Sequence, residues 1–111
     1  MAHTEVRLGA GRPTDTNNLT IYTAPALTSV WIKSIAIANT TTSDATCRVF
    51  LTPSGGTSDQ TTAILYDFTI LANCSVFLNG IDQVLATGGT IVVRSSTGSA
   101  LTFTASGVTI T

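Results

Sequence analysis

The chain of 111 residues has little charge. Asp, Glu, Lys and Arg together make up 10% of it, against roughly 25% in an ordinary soluble domain. Lysine occurs once, as Lys33, histidine once, as His3, and tryptophan once, as Trp31. Each shortage excludes something. Five basic residues scattered along a chain of net charge −1 make no basic face, so neither nucleic acid nor an anionic membrane is expected as a partner. No apolar run approaches the ~20 residues that a membrane-spanning helix needs. The lone histidine sits next to a terminus, where a general base cannot be held in register with a nucleophile. Neither a Gly-x-Ser-x-Gly elbow nor a phosphate-binding Gly-x-x-x-x-Gly-Lys-Ser/Thr loop occurs. Neither enzymatic activity nor a cofactor is expected. Cys47, Cys74 and His3 are too few ligands for a metal centre. The two cysteines read as reduced, buried thiols that act as small hydrophobes, with a disulfide between them as the sharper alternative. The N-terminus carries no basic stretch followed by an apolar one, so synthesis and folding in a cytoplasm are expected.

What fills the chain is β-branched and hydroxylic. Hydrophobic residues reach 43% and mean hydropathy is +0.38, ample for one packed core in a chain of single-domain length. From Leu19 onward the apolar pattern has period two, the period of a half-buried strand. Seven or eight strands are expected at spacings of about 8–12 residues, with no helix. The predicted architecture is all-β: one antiparallel β-sandwich, of jelly-roll character, over residues 18–111. Residues 1–17 are read as an extended N-terminal arm.

Several local expectations follow. Val30 and Ile32 share one phase and Ile35 and Ile37 the other, so a β-bulge is predicted near Lys33-Ser34. Gly107 is likewise read as a bulge that keeps Val108 and Ile110 on the apolar face. Asn39-Thr40-Thr41-Thr42-Ser43-Asp44 is read as the turn of a long hairpin. Asn79-Gly80 is a strong turn signal, with 81–86 open between a strand and a helical turn. The acids lie mostly in turns, where Asp serves the backbone. Asp67 instead interrupts an apolar strand and points to solvent or an interface.

A sandwich with one lysine lacks the usual protection of its sheet edges. Arg7, Arg12, Arg48 and Arg94 supply the remaining basic charge, and arginine is enriched at protein interfaces where lysine is depleted. Together these point to a subunit of an assembly. The candidate contact residues are Val6, Arg7, Leu8 and Arg12 in the arm and Trp31 and Lys33 in the body. Val6 and Leu8 are available for strand addition to a partner. Trp31 lies on the strand face opposite Val30 and Ile32.

Leu8-Gly9-Ala10-Gly11-Arg12-Pro13, Thr20-Ile21-Tyr22-Thr23-Ala24-Pro25-Ala26, Val30-Trp31-Ile32-Lys33-Ser34-Ile35 and Asn39-Thr40-Thr41 resemble small structural proteins of tailed bacteriophages. Leu85-Ala86-Thr87-Gly88-Gly89-Thr90-Ile91 and Phe103-Thr104-Ala105-Ser106-Gly107-Val108 are similar to the C-terminal half of the same kind of protein. Within that group the chain looks most like a capsid decoration, or cement, protein. The resemblance implies a homotrimer on the outer capsid surface of a virion, made in the bacterial host cytoplasm. It also implies a bridge between subunits of the major capsid protein. A tail, baseplate or head-fibre sandwich is the alternative within the virion. A carbohydrate-binding or adhesin module is the alternative of another class.

Overall fold

The computed structural model describes residues 2–111. Eight strands follow one another: β1 (His3–Gly11), β2 (Leu19–Thr23), β3 (Ser29–Asn39), β4 (Ala45–Thr52), β5 (Ala63–Ile70), β6 (Ser75–Leu85), β7 (Thr90–Ser95) and β8 (Leu101–Ile110). They form two antiparallel sheets of four, ordered β1-β8-β3-β6 and β2-β7-β4-β5. Consecutive strands change sheet at every connection except β4–β5 and thereby wind the chain into a jelly roll. The expected all-β sandwich is what forms, and no helix occurs among the described residues.

The core lies between the sheets. Val30, Ile32, Ile35 and Ile37 of β3 meet Cys47 and Val49 of β4, Ile91 and Val93 of β7, and Leu101, Phe103 and Ala105 of β8, all buried. Strand β3 supplies both phases of its apolar pattern because Lys33 is an extra residue. Its register shifts between Ile32 and Ser34 against both neighbours, β6 and β8. The bulge expected there is present, and it lets Val30, Ile32, Ile35 and Ile37 share one face.

Gly107 does something else. Strand β8 alternates without interruption, Ile32 pairing with Gly107 and Ser34 with Ser106. Gly107 is therefore not a bulge, and Val108 and Ile110 turn to the outer face. The glycine is there because a Cβ would lie 2.1 Å from the Trp31 carbonyl oxygen.

The expected arm is also corrected. Residues 3–11 are β1, paired with β8 from His3↔Ile110 to Gly11↔Phe103. Ala2 and Thr111 extend the ladder with two backbone hydrogen bonds of 3.0 Å. An edge strand with one outward face carries many polar side chains, which is why it reads as a free segment. Met1, the first residue of that expected arm, lies outside the described residues.

Two turn readings change as well. The turn after Asn39 joins β3 to β4 across the two sheets, so these strands do not form a hairpin. Asn39 routes the chain: its buried amide donates to the carbonyls of Ser43 (2.9 Å) and Ile70 (3.0 Å), and its oxygen accepts from the Thr41 backbone N–H. Asn79-Gly80 reverses nothing. It lies inside β6, where the register jumps from Ile32↔Gln83 to Ser34↔Asn79. Gly80 (φ 66°) and Asp82 (φ 51°) absorb the surplus in left-handed conformation.

Both cysteines are free, but only Cys47 is buried; Cys74 is exposed in the turn before β6. Burial pushes the Cys47 thiol up to about 12, and the thiolate is the reactive form. A thiol reagent at neutral pH should therefore titrate one cysteine in the native protein and two after denaturation. Peptide mapping should place the native adduct on Cys74.

Candidate interaction face

The outer face of the β1-β8-β3-β6 sheet is organised as cross-strand rows, because paired residues on adjacent strands share a face. In one row Trp31 lies between Val84 of β6 and Val108 of β8, and Val108 in turn lies beside Glu5 of β1. The row above holds Ser29, Ile110 and His3. Below, past the Lys33 bulge, comes a polar row of Asn79, Ser34, Ser106 and Arg7. The next row holds Phe77, Ala36, Thr104 and Ala10.

This face exposes large apolar side chains. Val84 is 72% exposed, Phe77 67% and Trp31 39%. Trp31 is held rather than loose. Its indole N–H donates to Asp82 at 3.2 Å, and the Lys33 ammonium sits 4.9 Å from its ring centroid. An exposed aromatic fixed by a hydrogen bond and a cation–π contact loses little freedom on binding. His3, Glu5, Trp31, Lys33, Val108 and Ile110 line a shallow depression here of about 380 Å³.

The sequence-predicted contact residues divide. Trp31, Lys33 and Arg7 come together on this face. Val6 pairs with buried Gly107 and is half-exposed at the sheet edge. Leu8 is a bulged residue of β1 packed against the core, so it is not available to a partner. Arg12 is a clamp at one end of the sandwich, donating to the Thr40 hydroxyl and the Ser99 carbonyl. Phe77, Val84, Val108 and Ile110 were missed. Their apolar character was visible, but which strands flank Trp31 is a property of the topology.

No protein-family model and no curated protein matches the chain. Solved structures do resemble it. A chain of the infectious bursal disease virus Gx strain structure aligns with a TM-score of 0.54 and 17% identity, over 97% of this chain and 31% of its own. The Gt strain structure of the same virus aligns with a TM-score of 0.48 and 10% identity, over 97% of this chain and 32% of its own. The crystal structure of PirA aligns with a TM-score of 0.46 and 14% identity, over 96% of this chain and 91% of its own. This chain spans about a third of the length of the viral chains, 31% and 32%. The Gx likeness establishes a shared fold.

Proposed function

We propose that the protein is a structural component of a virion that decorates a bacteriophage capsid. It would bridge major capsid protein subunits, act through surface contacts rather than catalysis, and associate with its own copies as a homotrimer. The observation that carries this reading is the fixed, exposed Trp31 within an apolar row of Val84 and Val108. Well-held aromatics of this kind dominate binding energy at interfaces. The low charge of the chain, the viral structure that shares its fold and the resemblance to phage structural proteins support it.

Two measurements test the reading: the solution mass of the purified chain, and its sedimentation with empty shells of the major capsid protein from the same genome. Expected are a species of about three times the 11.5 kDa chain mass and saturable co-sedimentation. Replacing Trp31 and Val84 together by serine should weaken shell binding by about 2 kcal/mol or more. A stable monomer that ignores shells would overturn the proposal.

A further inference from the structure

On the opposite sheet, β4 and β7 place Arg48 and Arg94 directly across from each other. Like charges in that position repel, and in a chain with five basic residues the pairing needs a reason. Arg48 is fully engaged. Its Nε donates to Asp67 at 2.7 Å and its Nη2 at 3.3 Å, and its guanidinium lies 4.0 Å from the Tyr66 ring centroid. Asp67 reaches it from a bulge in β5, where Tyr66 and Asp67 together oppose Arg48 and Asp67 takes φ 53°. A non-glycine residue in left-handed conformation is mildly strained. The hydrogen bond from Arg48, joined by the positive charges of Arg48 and Arg94, holds the Asp67 carboxyl below its usual range.

Arg94 is different. Among the described residues, no carboxylate lies within ion-pair distance of it. It is half-buried, flanks both depressions on this sheet, and borders Thr16, Thr46 and Ser96 in the smaller one, of about 180 Å³. The Ser96 oxygen already accepts the Thr46 backbone N–H, which leaves its hydroxyl proton to donate. Arg48 and Asp67 line this smaller depression too, so its charge is one carboxylate against two guanidiniums, while Asp59 lines the larger one.

From this geometry we infer a binding site for an oxyanion group — sulfate, phosphate or carboxylate — between Arg94 and the hydroxyls of Thr16, Thr46 and Ser96. Arg48 and Asp67 are bound to each other. Their mutual hydrogen bonds hold one guanidinium in place and leave the Arg94 fork, a planar donor suited to such groups, for the ligand. An oxyanion there relieves the repulsion between the two arginines.

The test is a two-dimensional amide NMR titration of the full chain at constant ionic strength, with inorganic sulfate, inorganic phosphate and glucuronate as separate arms. Expected are saturable shifts confined to Thr16, Thr46, Ser95, Ser96 and the Arg94 Nε–H, with a midpoint in the millimolar range. The arm with the tightest midpoint identifies the source of the oxyanion. Arg94→Gln, on an outer face where the fold does not depend on it, should weaken binding about tenfold or more. Arg7→Gln, on the other sheet, should leave it unchanged. Asp67→Asn should strengthen binding, because it removes the competing carboxylate while asparagine tolerates the left-handed backbone. A purely structural ion pair predicts no such gain. The inference is overturned if shifts are non-saturable in all three arms, or if Arg7→Gln weakens them as much as Arg94→Gln.

Discussion

Removing residues 2–11 should abolish cooperative folding rather than release a dispensable arm. Strand β1 pairs with β8 along nearly its whole length, and Leu8 packs against the core. The truncation strips β8 of one of its two neighbours and leaves Phe103 and Ala105, both fully buried, near an open edge. Losing the partly buried Leu8 side chain costs about 1–2 kcal/mol. Each lost ladder hydrogen bond adds about 1 kcal/mol. The sum reaches the whole stability of a typical domain, about 5–15 kcal/mol. Circular dichroism melting and amide NMR dispersion should show a collapsed or unfolded chain without a cooperative transition. A truncated protein that melts like the full chain would mean that β1 is a free arm after all.

Gly107→Ala should be strongly destabilising for a single added methyl. Its Cβ would lie 2.1 Å from the Trp31 carbonyl oxygen and 3.1 Å from that carbonyl carbon. Both are backbone atoms in a central ladder, so no side chain can swing away to make room. Strands β3 and β8 must separate where Ile32 pairs with Gly107, next to the bulge on which the phase of β3 depends. Overpacking of this kind costs about 3 kcal/mol or more, about 12 °C in melting temperature for a domain of this size. Ser106→Ala, one residue away on the outer face, should stay within about 0.5 kcal/mol of the parent. Denaturant melts of both variants check this. Equal midpoints would mean that the ladder has room for a methyl at 107.

The same two places show what a one-dimensional pattern can and cannot carry. The Lys33 bulge was visible because the apolar phase flips within one strand, which is a local fact. Gly107 was misread because its reason is the carbonyl of Trp31, distant in sequence and adjacent only once β8 lies beside β3. The turn after Asn39 has the same polar composition whether its flanking strands pair or part. What sends them to different sheets is the buried Asn39 amide bonding to Ile70, a residue of β5. Trp31 and Lys33 could be marked as contact residues because strand alternation sends Trp31 outward. The rest of the face could not, since Val84 and Val108 join Trp31 only through the jelly-roll strand order. The Arg48–Arg94 pair was hidden for the same reason, and the bulge that aims Asp67 at Arg48 breaks the alternation that would have placed it opposite Tyr66.

The outer face of the β1-β8-β3-β6 sheet sets Trp31, held by Asp82 and Lys33, in a row with Val84 and Val108 and exposes Phe77 nearby. We propose that this surface is covered in the working state. Because Trp31 is the only tryptophan, 5-fluorotryptophan places a single fluorine reporter on it. Its resonance should shift and broaden as protein concentration rises, and again when unlabelled capsid shells are added. Serine at Phe77 and Val84 should suppress both changes. A fluorine signal that stays sharp and unmoved to millimolar protein, and in the presence of saturating shells, would contradict it.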